Sequence, residues 1–252
     1  MEANFLFLGS GGSMGVPVIG CTCSVCTSVS SFNKRLRPSG LIRASLGSYL
    51  IDAGPDFRQQ ALKFKIENLR GVLLTHCHVD HIGGLDDLRA LYFLQKKKKI
   101  PCLVSKESFE ELSFRYHYLM HIFEFQVLEN DFGKTVFEGI EVAYVSYFQA
   151  GMKVNGYKIG DLAYISDIRD YTEEEVMAPL MGVNTLVISA VRTDPTHVHF
   201  GIEEATTFSR KLGAKKTYFT HIAHELDYEK TNALLPSDIK LSFDGLQIPI
   251  KI

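Results

Sequence analysis

Residues 75–81 read THCHVDH and directly follow the apolar run GVLL. The apolar run predicts a buried strand that ends at this His-rich loop. His76 and His78 offer two imidazoles to one divalent cation. Asp80 and His81 offer a carboxylate and an imidazole to a second. Because crowding four such side chains is costly without a cation, the H-x-H-x-D-H spacing predicts a metal centre rather than a loop that is His-rich by chance.

Two further polar residues follow apolar runs elsewhere in the chain. Asp167 comes after LAYIS, and His221 comes after TYFT. In α/β layers, side chains just past the carboxyl ends of strands form the functional site. The two oxygens of Asp167 are suited to bridge two cations about 3.5–4 Å apart, although an Asp here also fits a turn or a helix N-cap. His221, or His224 three residues later, is the candidate for a further ligand.

Three of the five cysteines, Cys21, Cys23 and Cys26, fall within six residues. This spacing is too tight for a disulfide framework, and the chain shows no export signal. Structural zinc prefers four tetrahedral nitrogen or sulfur ligands, so one histidine would complete the site, and His224 is the candidate. Reduced thiols that pack as small hydrophobic groups are the alternative.

His197 and His199 lie in the segment THVHFG, which opens a predicted helix. If the segment is extended, both side chains point to the same side. Either histidine fits a capping or supporting role. Either one also fits protonation of a leaving group near neutral pH, and the residues alone do not choose between them.

The remaining histidines and cysteines are interpreted as packing residues. His117 and His121 fall in a predicted aromatic-rich helix over residues 114–125, where packing or a lid is favoured over metal binding. Cys77 and Cys102 lie in apolar surroundings, which suits small buried thiols.

The composition is that of an ordinary globular chain. It has 252 residues, 27 basic and 29 acidic side chains, 46% hydrophobic residues and no Trp. The net charge of -2 argues against a surface devoted to nucleic acid, so no stable nucleic-acid complex is expected. No run of about 18 apolar residues predicts a membrane span, and we expect a cytoplasmic protein without a membrane partner.

Strand and helix patterns predict one domain over residues 1–252, with a three-Cys insert near residues 20–27. Some strands come as hairpins and others alternate with helices, so we expect mixed sheets covered by helices, an α/β (α+β) class. A last hairpin is predicted around Asp244-Gly245. No interface can be identified, and a homodimer is left open.

These motifs together resemble the metallo-β-lactamase superfamily. Within it, the chain is most similar to the phosphonate-pathway phosphodiesterase group, the carbon–phosphorus lyase accessory enzymes that act on cyclic phosphates. The similar segments are GSGGSMGVPVIGCTCSVC, IDAGPDFRQQ, LTHCHVDHIGGLDDLR, HVHFGIEEA and THIAHELD, in the same order. The three-Cys insert is absent from most of the superfamily, so the similarity to this group is specific.

The resemblance implies a four-layer αβ/βα sandwich with two mixed β-sheets and a two-metal site at its edge. It assigns His76 and His78 to one metal, and Asp167 to both. It assigns Asp80, His81 and His221 to the second metal, with Mn²⁺ or Zn²⁺ as the ions. A separate structural Zn²⁺ would be held by Cys21, Cys23, Cys26 and His224. The general acid of the group falls on His199, with His197 as a neighbour.

One position departs from the pattern of this group. An additional histidine ligand of the first metal is expected between the first motif and Asp167. Alignment on the shared Gly156-Tyr157 places Gln149 at that position. A neutral amide oxygen is a poorer ligand for Zn²⁺ or Mn²⁺ than imidazole, so occupancy by one ion or two is left open.

The resulting hypothesis is hydrolysis of a small, cyclic phosphodiester by a metal-activated water. A non-catalytic or weakly active binding protein is the first alternative, because Gln149 replaces a ligand. A tRNA 3′-processing nuclease is the second, although the charge offers little for capture of a polyanion.

Overall fold

The computed structural model describes all 252 residues, and its backbone forms 14 strands and seven helices. The strands are β1 (Glu2–Gly9), β2 (Ser39–Ala44), β3 (Gly47–Ile51), β4 (Gly71–Leu73), β5 (Ile100–Ser105), β6 (Phe123–Leu128), β7 (Phe132–Phe137), β8 (Ile140–Gln149), β9 (Met152–Ile159), β10 (Leu162–Ile165), β11 (Thr185–Ser189), β12 (Lys216–Thr220), β13 (Ile239–Leu241) and β14 (Gln247–Lys251). The helices are α1 (Phe57–Phe64), α2 (Val79–Ile82), α3 (Leu88–Leu94), α4 (Lys106–Arg115), α5 (Glu173–Leu180), α6 (Ile202–Leu212) and α7 (Tyr228–Leu234). Short 3-10 turns occupy Ser31–Asn33, Leu85–Asp87 and His117–Ile122.

The strands form two seven-stranded sheets. The first has the order β14-β1-β2-β3-β4-β5-β6, and the second has the order β13-β12-β11-β10-β9-β8-β7. Each sheet contains both parallel and antiparallel pairs. The predicted class of mixed sheets is therefore confirmed.

Three hydrophobic clusters divide the molecule into four layers. One lies between the first sheet and helices α1 to α4, and another lies between the second sheet and helices α5 and α6. The third cluster lies between the sheets, where Phe5 and Tyr49 of the first sheet meet Tyr157 and Tyr164 of the second. This is the αβ/βα sandwich predicted from the sequence. None of the helices is both long and apolar enough to cross a membrane.

Two local predictions were wrong. Residues 114–125 do not form one helix, because α4 ends at Arg115 and Phe123 begins strand β6. The strands on either side of Asp244-Gly245 do not form a hairpin. Strand β13 pairs in parallel with β12, whereas β14 pairs with β1 in the other sheet. The turn at Asp244 therefore connects the two sheets.

The ends of several strands meet at one edge of the sandwich. Strands β3, β4 and β5 run parallel in the first sheet, and β10, β11 and β12 run parallel in the second. Carboxyl ends of parallel strands share an edge, so the loops after β3, β4, β10 and β12 converge there. These loops carry the candidate site.

Candidate metal centre

Asp167 lies at the middle of the converging loops and is 1% exposed. Its Oδ2 atom is 2.7 Å from Nε2 of His81 and 3.4 Å from Nε2 of His76. Its Oδ1 atom is 3.2 Å from Nε2 of His221. The backbone of Asp167 is left-handed, with φ 51°, which turns the side chain back over the strand ends. One carboxylate thus contacts imidazoles from two different loops.

The other motif residues form a group on each side of Asp167. Nε2 of His76 lies 2.9 Å from Nδ1 of His78. On the opposite side, Oδ2 of Asp80 lies 3.2 Å from Nε2 of His221 and 3.5 Å from Nε2 of His81. The structure therefore brings together the six side chains that the resemblance assigned to two metals.

The donor set fits divalent cations. Two donors at about 2.1 Å from one tetrahedral cation lie about 3.4 Å apart. Nε2 of His81 and Oδ1 of Asp167 are buried and have no partner in hydrogen-bond geometry, although charged neighbours lie within 3.2 Å. Buried polar atoms aimed at one another without a hydrogen bond are suited to a shared ion.

The electrostatics keep Asp167 ionised. Burial alone would raise its pKa, but His221 and His81 hold the pKa of the carboxyl well below its usual range. Burial lowers the pKa of His76 well below its ordinary value, so this imidazole is neutral and its lone pair is free to ligate. An ionised carboxylate and a neutral imidazole are the protonation states that a metal requires.

Asp52, which follows β3, supports the cluster from behind and is fully buried. Its Oδ2 lies 2.7 Å from Nδ1 of His81, which orients Nε2 of that ring towards Asp167. The hydroxyl of Thr75 donates to Oδ2 of Asp52 and lies 2.9 Å from Nδ1 of His76. Asp52 is not among the site residues predicted from the sequence. Its position directly after an apolar strand, like that of Asp167, is the signal that would have found it.

The structure places His199, and not His197, beside the cluster. Nδ1 of His199 lies 3.2 Å from Oδ1 of Asp167. The segment is not extended, because the hydroxyl of Thr196 accepts hydrogen bonds from the backbone N–H groups of Val198 and His199. This turn separates the two histidines, and His197 is exposed. The condition under which both would point to one side, an extended segment, is therefore not met.

Gln149 ends strand β8 and lies at the cluster, 4% exposed. Its amide nitrogen is 3.1 and 3.2 Å from the two ring nitrogens of His199. Its Oε1 is buried without a hydrogen-bond partner. The side chain also lines a cavity of about 370 Å³ together with His78 and Asp167. Gln149 thus occupies the wall of the site where an additional ligand was expected.

A second cavity of about 370 Å³ adjoins His199 and His221. It is lined by the glycine-rich loop at residues 12–15, by Arg192 and by His197. Cavities of several hundred Å³ accommodate small organic ligands. The metal centre is therefore open to a small molecule on two sides.

The three cysteines converge on His224. Its Nδ1 lies 3.3 Å from Sγ of Cys21, 3.5 Å from Sγ of Cys23 and 3.5 Å from Sγ of Cys26. A tetrahedral zinc with sulfur at about 2.3 Å and nitrogen at about 2.0 Å sets its ligands about 3.5 Å apart, so the donors fit zinc. A backbone N–H of Cys26 and the ring of His224 lower the pKa of Cys23 to about 6, whereas burial raises that of Cys26 to about 11.

The remaining histidines and cysteines lie outside both clusters. Cys77 is buried, and its Sγ lies 3.6 Å from the carbonyl of Ser108. Burial raises the pKa of Cys77 to about 11. His117 and His121 lie in a 3-10 turn, where His121 packs edge-on against Tyr92.

Comparison with known proteins gives one family. Residues 48–222 match the family described as the beta-lactamase superfamily domain. The octanoyltransferase of Porphyromonas gingivalis is 33% identical over 253 residues, a stretch that covers 96% of this chain and 50% of the relative. The chain thus spans about half the length of this curated relative.

Two solved structures are similar over nearly the whole chain. A diphosphatase from the PhnP family has 34% identity and a TM-score of 0.92, with 99% of this chain and 98% of that chain covered. Zn²⁺-bound PqqB from Methylobacterium extorquens has 21% identity and a TM-score of 0.79, with 97% and 99% covered. The second likeness shows the fold alone.

Proposed function

We propose that this chain, which belongs to the beta-lactamase superfamily, is a metal-dependent hydrolase that cleaves small phosphodiesters. One observation carries the proposal. Both oxygens of Asp167 face imidazoles, with His76 and His81 on one oxygen and His221 on the other. A carboxylate shared in this way is the arrangement that supports paired cations in hydrolytic sites.

Each group of side chains has a distinct part in this proposal. His76, His78 and Asp167 would hold one cation, and Asp80, His81, His221 and Asp167 would hold the other. Divalent cations there would act as Lewis acids on a phosphoryl oxygen and lower the pKa of water. Asp52 fixes the tautomer of His81, so that Nε2 faces the site.

His199 is the proposed general acid. Its Nδ1 lies 3.2 Å from Oδ1 of Asp167, which places the ring at the edge of the His/Asp cluster. The ring also borders both cavities, so it can reach a departing alkoxide. His197 lines only the second cavity, beside the glycine-rich loop, and does not contact Asp167. Its proposed role is therefore contact with the leaving group and not proton transfer.

Phosphoryl chemistry is favoured over other reactions by two observations. The structure with 34% identity is described as a diphosphatase, which makes a phosphoanhydride the second candidate substrate class. Acyl transfer would need a nucleophile in the site, and the nearest thiol, Cys77, is buried with its pKa raised to about 11. This chain spans only half of the Porphyromonas gingivalis relative, so the activity in the name of that relative is not carried over to it.

The test is hydrolysis of bis(p-nitrophenyl) phosphate by metal-reconstituted protein, with a five-membered cyclic phosphodiester and a nucleoside diphosphate as further substrates. We expect turnover of the diesters that is lost in a His76→Ala control. A chain that holds Mn²⁺ or Zn²⁺ at both clusters and turns over none of the three would contradict the proposal and favour a binding protein. Turnover of the diphosphate alone would favour the second candidate.

A further inference from the structure

Arg35 is a fully buried cation that belongs to neither cluster. It is 1% exposed and precedes β2, between the three-Cys insert and the first sheet. Burying a guanidinium is costly unless its N–H groups are all engaged. Its burial therefore requires hydrogen-bond acceptors around the whole guanidinium group.

The side chain of Arg35 ties the segment after β12 to the residues that follow the three-Cys insert. Its Nη1 donates to the carbonyl of Ala223 at 3.0 Å, and its Nη2 donates to the carbonyl of Leu226 at 2.8 Å. Nη2 also donates to Oδ1 of Asn33 at 3.0 Å, and Nε donates to the carbonyl of Phe32 at 3.3 Å. All three nitrogens of the fork are therefore engaged.

The segment held by Arg35 carries one ligand candidate for each cluster. Ala223 lies between His221, which contacts Asp167, and His224, which faces the cysteines. Its backbone is pinned on other sides as well: Ile222 N–H donates to Ser10, and Ala223 N–H donates to Val191.

His221 itself needs this support. Its backbone is left-handed, with φ 58°, a conformation that is unfavourable for a residue with a large side chain. Neighbouring contacts must hold such a residue in place. Two residues after His221, the guanidinium of Arg35 donates a hydrogen bond to the backbone carbonyl of Ala223.

The backbone of Arg35 reaches the insert. Its N–H donates to the carbonyl of Val16, and its carbonyl accepts from the N–H of Val16, both at 2.8 Å. Two residues later, the N–H of Val18 donates to Sγ of Cys26 at 3.3 Å. One residue thus connects the start of the insert with the segment that bears His221 and His224.

We propose that Arg35 is a positioning residue that fixes His221 and His224 relative to each other, so that the cysteine cluster and the His/Asp cluster bind metal cooperatively. This inference rests on the proposed metal binding at both clusters. Because coupling between two sites is reciprocal, loss of a ligand in either cluster weakens metal binding at the other.

Arginine is suited to this role, and lysine is not. The planar fork reaches three carbonyls and one amide oxygen in fixed directions, whereas an ammonium is a single point of charge on a flexible stem. Arg35→Lys therefore keeps the buried charge and loses the geometry. Arg43, at the far end of β2, also donates to a carbonyl, that of Phe64, and provides a matched control.

The experiment is titration of the metal-free full-length chain with Co²⁺, followed by absorption spectroscopy. The thiolate-to-cobalt band reports the cysteine cluster. Because tetrahedral Co²⁺ bound by thiolates also absorbs in the d–d region, the His/Asp cluster is followed by the d–d bands that Co²⁺ adds once one equivalent of Zn²⁺ occupies the cysteines. Arg35→Lys, Arg35→Met and Cys23→Ser are compared with Arg43→Lys. Thermal unfolding of each variant shows that it is folded when titrated.

We expect wild type and Arg43→Lys to load both clusters. In Arg35→Lys, Co²⁺ should bind the His/Asp cluster roughly 10–100-fold more weakly with altered d–d bands, and Cys23→Ser should weaken the same cluster. If Arg35→Met fails to fold, the lysine variant decides. A folded Arg35→Lys chain with wild-type spectra and affinities overturns the inference alone. A wild-type chain that binds cobalt only at the cysteines overturns the proposed function, and the inference fails with it.

Discussion

The His/Asp cluster and the cysteine cluster are assembled in different ways. The first takes its side chains from loops after β4, β10 and β12, which lie in both sheets. The second takes three of its four side chains from one six-residue stretch and only His224 from elsewhere. The first is bordered by two cavities, one of which also reaches His224, whereas the second has four donors and no additional position. Under the proposed function, chemistry belongs to the first cluster and support of the fold to the second.

The largest expected effect comes from the shared carboxylate. Asp167→Asn removes the charge that both cations would share, so kcat/KM on bis(p-nitrophenyl) phosphate should fall roughly a thousandfold, equivalent to about 4 kcal/mol. Zinc at the cysteines should remain, because its four ligands are unchanged, although the coupling between the clusters should make it bind less tightly. Asp170→Asn, on the exposed side of the same segment, is the control and should keep its rate. A kcat/KM within tenfold of wild type for Asp167→Asn would contradict the assignment of catalysis to the His/Asp cluster.

At the cysteines, the expected effect is loss of zinc and of thermal stability. Cys23→Ser replaces a thiolate by a poor zinc ligand, so the chain should lose one zinc, and Tm should fall by at least roughly 5 °C. Elemental analysis and calorimetry measure the two effects. Thr22→Ala, between Cys21 and Cys23, changes an exposed residue and should alter neither. Full zinc content in Cys23→Ser would argue against a structural site.

The two histidines of the THVHFG segment sharpen the comparison within the first cluster. His199→Ala should lower kcat by about a hundredfold or more, because a general acid contributes at least that much. His197→Ala should change kcat less than about threefold, since its side chain is exposed and away from Asp167. Single-turnover kinetics on a substrate with a poor leaving group measure both. Equal losses in the two variants would reassign the acid.

Asp52 contacts the candidate metal ligand His81 and is not itself a candidate ligand. Asp52→Asn keeps the size of the side chain but weakens its contact with Nδ1 of His81, at 2.7 Å in this structure. Removal of such a partner typically costs 10–100-fold in metal affinity or activity, and we expect about this loss in metal titrations. Unchanged affinity would show that the ring of His81 is oriented by packing alone.

The smallest expected effect is an increase in metal affinity on substitution of Gln149. Gln149→His supplies an imidazole where the amide of Gln149 lies against His199, so metal affinity at His76 and His78 should rise about tenfold, with a higher rate. Isothermal titration with Mn²⁺ measures the change. Unaltered metal stoichiometry and affinity would reject the interpretation of this position as a replaced ligand.

The parts of the site that could be predicted share a local signal. The H-x-H-x-D-H motif places four side chains within six residues, and Asp167 and His221 each follow an apolar strand. Arg35 gave no such signal, because it lies in a basic stretch, NKRLR, where a solvated cation is the ordinary expectation. Its burial depends on carbonyls almost 190 residues away.

The two wrong predictions of the fold have different physical origins. Asp244-Gly245 has the composition of a hairpin turn, but the carboxylate of Asp244 accepts hydrogen bonds from the backbone of Ser10 and Leu36. These long-range contacts direct β14 into the first sheet. Residues near Phe123 were assigned to a helix because aromatic side chains suit both helices and buried strands. The first error concerns the pairing partner of a strand, and the second concerns the type of an element.

The most direct test of the central claim is the number and place of metal ions in the purified chain, measured by elemental analysis together with anomalous diffraction at the zinc and manganese edges. The account predicts density at the cysteines and at least one further ion between Asp167 and the surrounding histidines. An ion at the cysteines alone, in a chain supplied with Mn²⁺ and Zn²⁺, would contradict it.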